Sequence, residues 1–357
     1  MNPPPLFLLD PTKAAMKLKA PFPWFGGKSK VCDLVWSRLG DVPNYVEPFF
    51  GSGAVLLGRE TEPRVETIND LDCMVANFWR AHQCDPDAVT HYADEPVNEA
   101  DQHAKHLWLC SQQEFRERMK VDPEFYDAKI AGWWVWGQCI WIGSGWCSVQ
   151  LPHLGDAGKG INRQLPHLGN AGKGINRQLP HLGDAGTGVH RKLPHLGDAG
   201  MGESQCVSDL TSGTWLQTYM YQLASRLRRV RVCCGNWERV CGPSVTFKHG
   251  ITGVFLDPPY ADTAERQDKL YAADSTSVAH DVRRWAIENG DNPELRIALC
   301  GYAGEHEMPE TWECIAWKAS GGYGSPRRRS WQTKCCTRAH LVFPALHSTA
   351  NVIHSTN

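Results

Sequence analysis

The apolar run Gly253-Val254-Phe255-Leu256 stops abruptly at Asp257-Pro258-Pro259-Tyr260. Such a run reads as a buried strand of a parallel sheet. Proline has no N–H and a fixed φ, so Pro258 and Pro259 end the strand and stiffen the turn beyond it. Asp257 then falls at the carboxyl end of a strand, where open α/β sheets bind ligands. Its carboxylate and the Pro258 carbonyl are acceptors, and Tyr260 offers a flat face. Together they suit a planar group that carries an NH₂, such as a nucleobase taken out of its stack. An ordinary strand followed by a Pro-Pro loop would have the same residues, so the rest of the chain must decide.

Two upstream stretches add chemistry. Pro21-Phe22-Pro23-Trp24-Phe25-Gly26-Gly27-Lys28 sets two aromatics, two glycines and a cation before a helical pattern, Val31 to Leu39. The glycines let backbone approach a ligand closely, and Lys28 places charge near a helix start. Next, Tyr45–Glu47 reads as a short strand that runs through Pro48-Phe49-Phe50-Gly51-Ser52-Gly53 into an apolar helix. This is a strand–loop–helix of a nucleotide-binding α/β fold, without the third glycine of the dinucleotide fingerprint, which argues against NAD. Arg64 to Asp70 reads as a second strand ending in an acid that can hydrogen-bond ribose hydroxyls. The competing reading makes Asp70 the N-cap of a helix over Leu71–His82.

Taken in order, the lysine block, Glu47-Pro48-Phe49-Phe50-Gly51-Ser52-Gly53, Asn69-Asp70, a long insertion and Asp257-Pro258-Pro259-Tyr260 resemble the Dam-like DNA N6-adenine methyltransferases. The resemblance implies an α/β fold: a Rossmann-like, S-adenosylmethionine-dependent methyltransferase sheet with an inserted, mostly helical and loop-rich DNA-recognition region. It also implies roles. S-adenosyl-L-methionine would be held by Trp24, Lys28, Glu47, Pro48, Phe49, Gly51, Gly53, Asp70 and Asp257. Asp257 and Pro258 would accept hydrogen bonds from the adenine amino group, Pro259 would stiffen the turn, and Tyr260 would stack on the base. No metal is required. Three alternatives stay open: N4-cytosine methylation, glutamine methylation in a protein, and a catalytically idle DNA-binding protein of the same fold.

Composition bounds the reading. The chain has 357 residues, 42% hydrophobic, enough for a large domain with an insertion. The formal net charge is −2, so contact with double-stranded DNA must come from local basic patches. No apolar run approaches the ~18 residues of a membrane span, and the N-terminus lacks the basic start of a signal peptide. The 14 cysteines are scattered without a C-x-x-C, which favours reduced, buried thiols over zinc or disulfides. The expectation is a cytoplasmic monomer with no evident obligate protein partner.

The middle of the chain divides into helices and repeats. Leu71–His82, Asp101–Lys120 and Ile130–Ile140 have helical spacing, with Asp85-Pro86 and Asp122-Pro123 as breaks. Trp133, Trp134, Trp136, Trp141 and Trp146 interleave with aliphatic residues, which favours core over a base-stacking platform. From Leu151 to Gly202 a unit of 14 residues recurs, rich in glycine and too poor in apolar side chains to build its own core. It carries six cations against three acids. Its Lys159, Arg163, Lys173 and Arg177, with Arg226, Arg228 and Arg229 at the end of the amphipathic stretch Trp215–Leu227, are candidates for phosphate contact. A low-complexity insertion without a role is the plain alternative for the repeats, and a solvated helix end is the plain alternative for the arginines. Val230–Cys234, Leu295–Tyr302, Trp312–Lys318 and Leu341–Phe343 read as further strands, Ser277–Glu288 as a helix, and Ala261–Ala273 as a loop able to close over a base. The resulting division is a catalytic domain of 1–82 and 230–346, a target-recognition insertion of 83–229, and a polar tail of 347–357.

Overall fold

The computed structural model describes residues 18–24, 28–61, 64–141, 146–147, 212–259, 277–302, 306–318 and 338–344. Tyr260, the glycine pair Gly26-Gly27, the repeats with Lys159, Arg163, Lys173 and Arg177, the loop after Tyr260 and the tail lie outside the described residues.

Seven strands form one sheet: β1 (Asn44–Glu47), β2 (Val65–Asp70), β3 (Val230–Cys234), β4 (Thr252–Leu256), β5 (Leu295–Tyr302), β6 (Trp312–Lys318) and β7 (Arg338–Pro344). Their order is β3-β2-β1-β4-β5-β7-β6. The first five pair in parallel, and β7 slots antiparallel between β5 and β6. Every residue of β1 and β4 is buried, as expected of central parallel strands covered on both faces. Alternate side chains serve opposite faces. Tyr45, Phe255, Ala298 and Cys300 join one core cluster, and Val46, Val254, Leu256, Ile297 and Leu299 the other.

The second face is covered by α9 (Glu238–Cys241) and α10 (Val278–Asn289). The first carries α1 (Cys32–Leu39), α2 (Ala54–Leu57) and the helices of the long β2–β3 connection. These are α3 (Cys73–Cys84), α4 (Pro86–Ala93), α5 (Glu99–Cys110), α6 (Gln113–Val121), α7 (Ala128–Ile140) and α8 (Ser212–Leu227). Val89, Leu109, Met119, Trp134, Trp136 and Leu223 of that connection share a core with Tyr45 and Ile68 of β1 and β2. The described helices of residues 83–229 therefore pack onto the sheet through a common interior.

The sequence reading needs correction at three helix ends. Asp85-Pro86 opens a helix rather than merely ending one: the Asp85 carboxylate accepts from the Ala88 N–H at 3.1 Å, and Pro86 occupies the first turn of α4. The single helical pattern over Asp101–Lys120 is two helices, separated at Ser111 and Gln112. The cap of α3 is Asp72, which accepts from the Met74 N–H at 2.8 Å, so Asp70 is left for another task. The tryptophans are core. Trp134 and Trp136 are buried, and Trp136 Nε1 donates to the Glu95 carbonyl at 2.8 Å while Trp146 Nε1 donates to the Trp134 carbonyl at 2.9 Å.

Candidate active site

Strand order reverses direction at β1 and β4, which pair in parallel while their onward connections run to opposite sides of the sheet. The crevice at the carboxyl ends of these strands is where such a sheet binds ligands. Glu47, Asp70 and Asp257 all fall at that edge.

The turn after β1 needs its glycines. Gly51 and Gly53 have φ of +50° and +71°, a region that side chains with a Cβ adopt at a cost. A Cβ on Gly51 would lie 2.4 Å from Trp24 Nε1, and one on Gly53 would lie 2.7 Å from Phe50 Cζ. Trp24 therefore lies directly over the turn. From the other side, Trp79 Nε1 donates to the Gly51 carbonyl at 2.9 Å. Asn69 joins three strand ends at once: its Nδ2 donates to the Pro48 carbonyl at 3.0 Å and to the Gly235 carbonyl at 2.9 Å. Pro48 is buried, and Phe49 stands half-buried with its ring 6.2 Å from that of Trp237.

Asp70 holds this turn. Its Oδ2 accepts from the Gly51 N–H at 2.9 Å and its Oδ1 from the Asp72 N–H at 2.9 Å. Burial, with the Asp72 charge beside it, pushes its pKa up to about 7 despite those backbone donors. Each oxygen keeps a second lone pair that can accept from a ligand. Next to it Leu71 is 46% exposed, although the sequence reading had assigned it to the helix.

Across the crevice, Lys28 Nζ sits 2.6 Å from Asp257 Oδ2. Lys28 is buried. Burial by itself would lower its pKa, but Asp257, Cys300 and Glu47 more than offset this and hold it above the ordinary lysine value. Glu47 is buried at 2% exposure and takes a hydrogen bond from the Tyr45 hydroxyl at 2.8 Å. Burial, then the Asp257 charge, drives its pKa well above the carboxylate range against the pull of Tyr45, a backbone N–H and Lys28. Burial thus favours the protonated form of Glu47, while Lys28 is paired directly with Asp257. Pro258 is buried behind Asp257 and Pro259 half-buried. The sequence reading missed Trp317 of β6, whose ring centroid lies 5.7 Å from Lys28 Nζ and whose indole N–H is buried without a hydrogen-bond partner. Only the strand pairing that brings β6 to this edge reveals it.

Of the basic cluster after α8, Arg228 and Arg229 are exposed. Arg226 is not arranged to meet phosphate. It makes a two-pronged pair with the buried Glu66 at 2.6 and 2.9 Å and donates to the Leu56 carbonyl at 3.2 Å. Glu66 also takes Arg59 Nη1 at 3.2 Å.

The central parallel strands thus carry a glycine turn, a strand-end acid beside it and an Asp-Pro-Pro turn at the switch point, the edge at which open α/β sheets bind ligands. Residues 24–130 match the family model of the D12 class N6 adenine-specific DNA methyltransferase. The matched stretch spans Trp24, Lys28, the glycine turn, Asp70 and α3 to α6, and ends within α7, before Asp257. No curated protein matches the chain.

Proposed function

We propose that the protein transfers the methyl group of S-adenosylmethionine to N6 of an adenine flipped out of double-stranded DNA. The observation that carries this reading is the buried 2.6 Å contact of Lys28 with Asp257 at the carboxyl end of β4, across the crevice from Asp70 and the glycine turn. An oriented carboxylate after β4 would meet an entering base, and Asp70 at the end of β2, one strand beyond β1, would hold a nucleoside.

The residues fit the cofactor. Asp70 retains lone pairs for ribose hydroxyls, Leu71 gives apolar surface beside it, and Gly51 and Gly53 leave room for close backbone approach. When bound, S-adenosylmethionine supplies an electrophilic methyl group on a sulfonium. Lys28, fixed on Asp257, sets the orientation of that carboxylate before a base arrives. Asp257 and the Pro258 carbonyl then accept from the two hydrogens of the adenine amino group. That draws the nitrogen lone pair out of the ring and holds it in line for attack. Asp257 need not be a strong base, because the proton leaves after the nitrogen has become cationic. Tyr260 would stack on the base. Arg228 and Arg229, with the cations of the repeats, would contact phosphates.

The test is incubation of unmethylated genomic DNA with S-adenosylmethionine and either wild type or Asp257→Ala, read by base-resolved sequencing. N6-methyladenine with the wild type alone supports the reading. Methylated cytosine, or no modified base from a protein that binds the cofactor, would overturn it.

A further inference from the structure

Two thiols meet directly behind the Asp70 turn. Cys73 is the first residue of α3, and Cys234 the last of β3. The Cys234 thiol donates to Cys73 Sγ at 3.7 Å. Both residues are buried, at 6% and 3% exposure. The surroundings favour a thiolate on Cys73. It stands at a helix N-terminus, where backbone N–H groups and the helix dipole stabilise negative charge. Arg116 and Lys120 add positive charge, against the opposing Asp72. The Cys73 thiol donates to the Arg116 carbonyl at 3.6 Å, which opposes ionisation, while the buried Arg116 Nε and Nη2 have no hydrogen-bond partner among the described residues and are open to a negative sulfur. The hydrogen bond from Cys234, followed by these cations, outweighs burial and lowers the Cys73 pKa, while the same hydrogen bond and burial raise that of Cys234. One sulfur is set up to attack and the other to resolve.

We propose that Cys73 and Cys234 are an oxidation site, closing to a reversible disulfide when the protein meets a peroxide. The Cys73 thiolate attacks the peroxide O–O bond, forming an S–O bond and releasing hydroxide. The Cys234 sulfur, losing its proton, then displaces the sulfenic oxygen as hydroxide. Two thiols and one hydrogen peroxide give one disulfide and two waters.

The consequence for the ligand site rests on the function proposed above. The sulfurs must close from 3.7 Å to about 2.05 Å. Cys73 adjoins the Asp72 cap, whose N–H holds Asp70 Oδ1, and the Gly235 N–H next to Cys234 donates to the Asp70 carbonyl at 3.0 Å. Drawing α3 and β3 together therefore displaces the acid that latches Gly51.

The experiment uses the full chain, fully reduced and then titrated with hydrogen peroxide. Peptide mass mapping reads the crosslink, and calorimetry reads S-adenosylmethionine affinity before oxidation, after it, and after dithiothreitol. The expected result is a linked Cys73–Cys234 peptide two mass units lighter, with affinity weakened at least roughly tenfold and restored by the reductant. Cys73→Ser and Cys234→Ser should each lose the linked peptide and keep their affinity through the peroxide step. Absence of that peptide, or its presence with unchanged affinity, would overturn the proposal. A reduced protein that fails to bind the cofactor would count against the proposed function, and the linked peptide would still decide the oxidation site.

Discussion

Under the proposed function, Asp70 should make cofactor binding depend on pH. Its folded pKa is raised from 3.8 to about 7, and ribose hydroxyls would donate more strongly to its ionised form. Affinity for S-adenosylmethionine is therefore expected to rise as pH passes upward through about 7, and Asp70→Asn should flatten the profile while lowering affinity throughout. Calorimetry from pH 6 to 8.5 (roughly one unit beyond the transition on each side) is the check. The same shift has a stability consequence of fixed sign. A carboxyl held above its unfolded value stabilises the fold below that value, and this contribution is lost as pH rises through the folded value. The window is 3.8 to about 7, so the margin of the wild type over Asp70→Asn should be larger below it than above it, where only the loss of one of the two backbone N–H bonds remains. Asp257→Ala is a different case. Turnover should drop by roughly 10²-fold or more, the scale of losing a hydrogen-bond partner that acts in the transition state, with DNA binding retained in a gel-shift titration. The residues of this pocket were legible one by one as polar groups at strand ends. Their pairing was not, because Lys28, just before α1, and Asp257, just after β4, are far apart in sequence and meet only when α1 packs onto the sheet that contains β4.

At the level of elements, the turn after β1 and the anchoring of α8 can each be broken separately. Gly51→Ala puts a side chain at φ +50° and a Cβ 2.4 Å from the Trp24 ring. It should cost at least ~1–3 kcal/mol in urea unfolding and weaken cofactor binding with it. Arg226→Ala removes the tie of α8 to β2. The expected loss is about 3 kcal/mol, the low end for breaking a buried pair, because Arg59 still faces Glu66. Arg228→Ala, on an exposed side chain, should leave the unfolding midpoint within experimental scatter. It should lower the slope of log affinity for DNA against log salt by about one. The strands were readable because central parallel strands are short apolar runs cut off by polar residues. Helix α4 was not, because Asp-Pro closes one helix as readily as it caps the next. The break between α5 and α6 falls at Ser111-Gln112, where the helical spacing continues without a glycine or proline to mark it.

For the whole molecule, the sequence pattern yielded the strand alternation, the burial of the tryptophans and the position of the Asp-Pro-Pro turn. It did not yield the shared interior. The segment 83–229 reads as a separate insertion because it interrupts the motif order, yet its described helices fill the same core as β1 and β2. A cut between the two at residue 82 would therefore expose Phe78, Trp79 and Trp134, which pack against one another. The repeats are separable in a way those helices are not, since their composition cannot sustain a core of its own. Deletion of residues 165–192 should leave cofactor affinity and the melting temperature unchanged and weaken DNA binding, most visibly at low salt. Unaltered DNA affinity would dismiss the repeats as a phosphate grip.

Strand β7 lies between β5 and β6 although it comes after both in the chain. A polypeptide emerging from the ribosome in order has β5 and β6 in hand with no partner to join them, and each offers a bare row of amides until residues 338–344 arrive. Trp317 reaches its place over Lys28 only by that late insertion. The sheet is thus assembled like a drawer closed last: a nascent chain halted before β7 has Lys28, Glu47, Asp70 and Asp257 in hand and still lacks the wall that Trp317 supplies, with two open strand edges exposed to self-association.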